Sequence, residues 1–132
     1  MGFWFGRKDR KKLSTSLVSH LDKVDAAYMN AYTIKSMRGI QPYLTPECAN
    51  KIARKVYSAK NVYFGAPKFR RTEWTLIRDE NNQKHILKDV RFDKIKLGAR
   101  LSLNVANDYQ ETWIVQKIQS KYVVLDIIGA FL

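Results

Sequence analysis

From Leu13 the apolar positions fall at Leu13, Leu17, Leu21, Val24, Tyr28, Ala31 and Tyr32, in steps of three and four that line one face of a long helix. Gly39 interrupts the pattern and Pro42 disfavours its continuation, so Ile40, Tyr43 and Leu44 are expected in a short buried connector or a turn of helix. A further helix starts in TPECANKIARKVYSAK. Thr45 can cap its free backbone N–H groups, Pro46 needs no donor at the first helical position, and Glu47 complements the dipole. Cys48, Ile52, Ala53 and Val56 give this helix one apolar face, and Lys51, Arg54 and Lys55 are expected in water.

Around Gly65 and Pro67 the period changes. From Thr72 onward, Trp74, Leu76 and Arg78 alternate with Glu73, Thr75 and Ile77, and DENNQK then supplies a polar turn. A second strand is expected over His85 to Lys96, bent or bulged because the run exceeds a usual strand length, with Gly98 ending it. Leu101, Leu103 and Val105 share one face. Tyr109, Glu111, Trp113 and Val115 share a face of the next strand, QSK turns the chain, and Tyr122 to Ile128 closes the set. The predicted class is α+β, with N-terminal helices packed on a strongly curved, mostly antiparallel sheet of four or five strands. No internal repeat is evident.

The length of 132 residues suits one core, so residues 1–12 are read as a tail and 13–132 as a single domain. With 45% hydrophobic and 27% charged residues the chain is expected to fold unaided. Cys48 stands alone and no Cys or His cluster has zinc spacing, which suits a reducing compartment and predicts neither a metal nor another cofactor. No run approaches the ~18 consecutive apolar residues of a spanning helix. A secretory signal is not expected either, because the aromatics precede the bases, and Gly6 stands where a myristoylation motif carries Ser or Thr.

Charge changes the picture more. The 24 basic residues against 12 acidic ones give +12, a field that attracts nucleic-acid phosphate, anionic lipid or an acidic protein. In MGFWFGRKDRKK, Phe3, Trp4 and Phe5 are followed by Arg7, Lys8, Arg10, Lys11 and Lys12 around the single Asp9. A second cluster, Lys68, Arg70 and Arg71, has Phe69 between its members. Such interleaving occurs in nucleic-acid binders and in interfacial membrane anchors. At a membrane the aromatics would lie at the headgroup boundary, and each base would contribute on the order of 1 kcal/mol. One such foot is weak alone and needs the second cluster or a partner. A nucleic-acid binder should spread aromatics over a sheet face or carry a domain signature, and neither is evident. The bland alternative is a solvated basic tail with buried aromatic staples.

Two stretches, AAYMNAYTIKSMRGIQPYLTPECANKIARKV and NDYQETWIVQKIQSKYVVLDI, resemble the nuclear-transport-factor-2-like superfamily. The second is similar to its closing hairpin in the order acidic-polar, Trp113, turn, Tyr122, Asp126, Ile127. Within the superfamily the chain looks nearest to the membrane-peripheral domain of the mitochondrial import-motor anchor subunit and its bacterial relatives, where a YLTPE-like helix start and a basic N-terminal helix also occur. The resemblance spans residues 13 to 128 and implies a cone-shaped fold, whose members include isomerases, hydrolases, transport factors and assembly domains. Its enzymes place acid, base and oxyanion groups in the cone mouth, which makes Tyr28, Tyr32, His85, Asp108, Glu111 and Asp126 the residues to weigh.

Each has a plainer reading. Tyr28 and Tyr32 sit at helical spacing as amphipathic core tyrosines. His85 next to a turn reads as exposed or at an edge, Asp108 beside Asn107 marks a strand end, and Glu111 and Asp126 are solvated or buried against Arg or Lys. No nucleophile motif or phosphate-binding glycine loop is present, so no catalytic residue is assigned. The reading is a non-enzymatic binding and assembly module, intracellular and peripheral at the cytoplasmic or matrix face of a membrane. It docks on anionic lipid, a protein partner or both through the two basic, aromatic clusters, and its cone mouth receives an apolar group or a partner segment. The alternatives are a nucleic-acid or ribonucleoprotein component and a small enzyme with its site in the cone mouth.

Overall fold

In the computed structural model, which describes residues 12–58, 70–92 and 108–129, the first periodic run becomes helix α1, Thr15–Ile34. Ser14 caps it, its Oγ accepting from the Leu17 N–H at 3.2 Å. The helix ends at Lys35, four residues before the glycine expected to break it. Lys35 adopts the left-handed conformation (φ 55°, ψ 48°), and both its own N–H and that of Ser36 return to the Ala31 carbonyl. A tertiary tie accompanies this turn: Lys35 Nζ donates to the Val56 carbonyl at 3.3 Å.

A 3-10 turn, Gln41–Tyr43, follows, and Leu44 makes a parallel bridge to Val124. Helix α2, Pro46–Ser58, starts as the sequence predicts, with Cys48 N–H on Thr45 Oγ1 at 3.3 Å and Ala49 N–H on the Thr45 carbonyl at 2.8 Å. No described helix is long and apolar enough to cross a membrane.

Strands β1 (Arg70–Glu80), β2 (Gln83–Phe92), β3 (Asp108–Ile118) and β4 (Lys121–Gly129) form one antiparallel sheet in chain order. The hairpins turn at Asn81-Asn82 and Gln119-Ser120, all four residues at positive φ, as two-residue loops matching strand twist require. The second strand is expected to bend or bulge somewhere between His85 and Lys96, and residues 93–96 of that run lie outside the described residues. β2 is regular over its described length, whereas the register slips at Ile77 in β1 and at Leu125 in β4. Residues 93–107, including Leu101, Leu103, Val105 and any fifth strand, lie outside the described residues.

The two helices pack on this sheet. Leu17, Leu21, Val24, Tyr28 and Tyr32 of α1 and Cys48, Ile52 and Val56 of α2 meet Leu76, Ile86, Trp113, Val115, Val124 and Ile127 of the strands in one core. α1 is pinned at several levels. His20 Nε2 lies 3.2 Å from the Tyr122 carbonyl near the hairpin turns, Trp74 Nε1 donates to Asp22 at 2.8 Å, and Tyr28 reaches Glu111 deeper along the sheet. At the end remote from the turns, Gly129 lies beside Glu111, where a Cβ would stand 2.8 Å from the Glu111 Cα. Only glycine permits that approach, so it helps to set where Glu111 sits.

Candidate functional site

Alternation along β2 turns Ile86, Lys88 and Val90 toward the helices, and alternation along β3 does the same for Tyr109, Glu111 and Trp113. Lys88 and Glu111 are direct cross-strand neighbours. Asp25 projects from α1 between Val24 and Tyr28 onto the same spot. The result is a charge cluster inside the core. Lys88 Nζ lies 2.6 Å from Asp25 Oδ1 and 2.7 Å from Glu111 Oε1, with side-chain exposures of 0%, 4% and 1%.

Aromatic groups finish the enclosure. Trp113 Nε1 donates to Glu111 Oε1 at 3.3 Å and the Tyr28 hydroxyl donates to Oε2 at 3.1 Å. The ammonium also stands 5.1 to 5.3 Å from the ring centroids of Tyr109, Trp113 and Tyr28, within cation–π range. Edge-to-face contacts of Tyr28 with Tyr32 (5.3 Å) and Trp113 (5.8 Å), and of Trp74 with Trp113 (4.9 Å), fix the rings.

Burial alone pulls the pKa of the Lys88 ammonium down, but the facing Asp25 and Glu111 carboxylates outweigh it and hold the group above its ordinary 10.5. Burial first, and then the Glu111 charge, push the Tyr28 phenol far above its ordinary 10.0, and burial raises Tyr32 too. Chemically the arrangement holds its protons tightly. The ammonium is paired with two carboxylates, and each Glu111 oxygen already accepts. No group of three or more His, Cys, Asp or Glu side chains able to hold a metal ion occurs among the described residues.

Of the residues weighed from sequence, Tyr28, Tyr32 and Glu111 come together here. His85 and Asp126 do not join them. His85 is half-buried on the inner strand β2, opposite Ile114, rather than exposed or at an edge, because β3 covers its other side. Asp126 meets Lys51 of α2 at 2.6 Å, and Lys51 also donates to the Ile127 carbonyl, so Lys51 is half-buried against β4 and not in water. Asp108 starts β3 opposite Arg91. Sequence reasoning missed Lys88 and Asp25. The available signal was a charge in the apolar phase: Lys88 between Ile86 and Val90, and Asp25 within the stripe Val24, Tyr28.

Cys48 is buried, as expected of a core cysteine, and burial first, then the Asp126 charge, lift its thiol to about 11 from 9.0. A shift of that size lowers the thiolate fraction about a hundredfold. Labelling by a thiol reagent at pH 8 should therefore be at least that much slower in the folded protein than in denaturant, and equal rates would show Cys48 accessible.

Among the described residues an open polar groove of about 180 Å³ lies between the hairpin turns, lined by Asp79, Asn82, Lys84, Lys117 and Tyr122. Lys84 is held by Asp79 at 2.8 Å and Lys117 stands over the Tyr122 ring at 5.6 Å.

Of the sequence-predicted docking residues, Phe3, Trp4, Phe5, Arg7, Lys8, Arg10, Lys11, Lys68 and Phe69 lie outside the described residues. Lys12 is exposed and leads into the end of α1 that lies toward the hairpin turns. Arg70 and Arg71 start β1 at the other end of the sheet, opposite Phe92 and Arg91, and Arg71 is exposed. The two basic runs thus meet the described domain at opposite ends. The described residues hold 15 basic and 10 acidic side chains, whereas the remaining 40 positions hold 9 and 2, so +7 of the +12 falls outside the described residues. Comparison of the chain with protein-family models, with curated proteins and with solved structures finds no match.

Proposed function

We propose that this protein is a non-enzymatic binding and assembly module, a nuclear-transport-factor-2-like cone carried to an anionic membrane surface by its basic, aromatic N-terminus. The observation that carries the reading is the order Phe3, Trp4, Phe5 and then five bases around Asp9, immediately ahead of the capped start of α1. Aromatic side chains favour the headgroup boundary, and five bases near anionic lipid supply up to about 5 kcal/mol. The interior supports the same reading: its buried charges are paired with one another and enclosed by Trp113, Tyr28 and Tyr109, which suits a rigid carrier more than a site for turnover. The location that follows is peripheral, at the cytoplasmic or matrix face.

Co-sedimentation of the full chain and of a chain starting at Leu13 with neutral and anionic vesicles tests this. The full chain should bind anionic vesicles and the shortened one should lose about tenfold or more in affinity. Equal binding by both removes the foot. Tight RNA binding that falls steeply with salt, without vesicle binding, would make nucleic acid the anionic surface instead.

A further inference from the structure

The two edges of the sheet differ. The outer side of β4 receives Leu44 through its parallel bridge and the Thr45 N–H on the Val124 carbonyl at 3.1 Å. The outer side of β1, eleven residues long, pairs with no chain among the described residues. An open edge is a template for another strand unless charge or a bulge defends it, and β1 has both. The order of its charges says which strand it admits.

The strand reads RRTEWTLIRDE, with bases at the start and acids at the end. Up to the bulge, Thr72, Trp74 and Leu76 face the helices and Arg71, Glu73 and Thr75 face outward. Ile77 is the extra residue. Beyond it the phase flips: Arg78 pairs with outward His85, so Arg78 and Glu80 face outward and Asp79 turns inward toward Lys84.

We propose that this edge pairs with β1 of a second copy of the chain, antiparallel about a two-fold axis at Thr75, with Ile77 bulged out of each strand. In that register Arg71 lies opposite the partner's Glu80, Thr72 opposite the partner's Asp79, Glu73 opposite the partner's Arg78, and Trp74 opposite the partner's Leu76. Every residue meets one on its own face of the sheet, every charged pair is of opposite sign, and each pair occurs twice by symmetry. Sliding by two residues one way sets Arg71 against Arg78, and sliding the other way sets Glu73 against Glu80. The charges therefore select a single register.

The monomer supplies a second reason. Across β1 and β2, Arg71 stands directly opposite Arg91 and Glu73 directly opposite Asp89, like-charge pairs that are unfavourable within one sheet. The second copy brings Glu80 to the first pair and Arg78 to the second. The internal rival is the Arg78–Glu80 pair at 2.9 Å, with side chains 62% and 50% exposed, and such surface pairs exchange partners readily.

Sedimentation equilibrium of the full chain without lipid, from about 1 to about 100 μM at about 0.15 M salt, screens the net charge beyond contact range and reads the association directly. A concentration-dependent dimer is expected. Arg78→Glu should weaken it about tenfold or more, and the double variant Glu73→Arg with Arg78→Glu should restore it. A wild-type monomer throughout, or a dimer indifferent to Arg78→Glu, overturns the proposal. Should either variant fail to fold, amide exchange of the wild type decides: protection of β1 must rise with concentration, and a constant rate counts against pairing. None of these readings involves the N-terminal foot, so the two proposals fail separately.

Discussion

Lys88→Ala should cost about 3–5 kcal/mol, the loss expected when one partner is removed from a buried ion pair. The upper end applies, because this ammonium serves two carboxylates, 2.6 and 2.7 Å away, and both are sealed from water. Against a typical domain stability of about 5–15 kcal/mol that is enough to leave the protein at the margin of folding. Denaturant titration followed by circular dichroism reads it. Lys51→Ala is the control, since its pair with Asp126 has side chains 36% and 33% exposed, and pairs in that range are worth about 0–1 kcal/mol. If the two variants lose similar amounts, Lys88 is not the keystone its geometry makes it. Lys88→Met separates charge from packing: it keeps the stem volume and still strands Asp25 and Glu111. Replacing all three charged residues by apolar ones of similar volume should come out near neutral or more stable, because the folded state no longer desolvates three charges. The cluster then contributes alignment of α1 with β2 and β3 more than net stability.

Much of this arrangement is legible in the sequence, and the part that is not has identifiable causes. The three- and four-residue steps from Leu13 to Tyr32 placed the buried face of α1, and Thr45, Pro46 and Glu47 marked the start of α2, because caps and periodicity are local. The end of α1 was misplaced at Gly39. A left-handed residue is usually glycine, and Lys35 takes that conformation beside a bond to Val56 that no local pattern announces. The bulge at Ile77 was likewise invisible, since run length alone cannot say which of two paired strands carries the extra residue. For the site, Glu111, Tyr28 and Tyr32 were named from sequence, but their common partner was not. Lys88 lies 23 residues from Glu111, and only the strand register brings them opposite each other. A lone lysine in a strand normally reads as solvated, so its place in the apolar phase between Ile86 and Val90 was the one clue.

Alkaline rather than neutral conditions should reveal the same cluster. Tyr28, Tyr32 and Lys88 have folded-state pKa values raised above their ordinary 10.0 and 10.5, and Cys48 is raised to about 11 from 9.0. A raised value means that the folded chain keeps a proton the unfolded chain releases. The stability linked to these groups is therefore fully present below their unfolded values and is lost as pH rises above them. Cys48 opens this loss near pH 9 and levels off near 11, and the three cluster groups join from about pH 10. Each group protonated in the folded state and ionised in the unfolded one removes about 1.4 kcal/mol per pH unit. Together they make the fall steep, and unfolding should set in within about two units above pH 10 for a domain of ordinary stability. Tyrosinate absorbance and far-ultraviolet circular dichroism followed together provide the measurement. Ionisation of Tyr28 must coincide with loss of secondary structure, because burial and the Glu111 charge hold its proton in place while α1 stays docked. Tyr28→Phe separates the cluster from general alkaline damage, since it deletes one linked group and should make the fall shallower even if the variant is less stable at pH 7. Complete tyrosine ionisation with the circular dichroism intact would mean that the core admits hydroxide, and the sealed cluster would have to be abandoned.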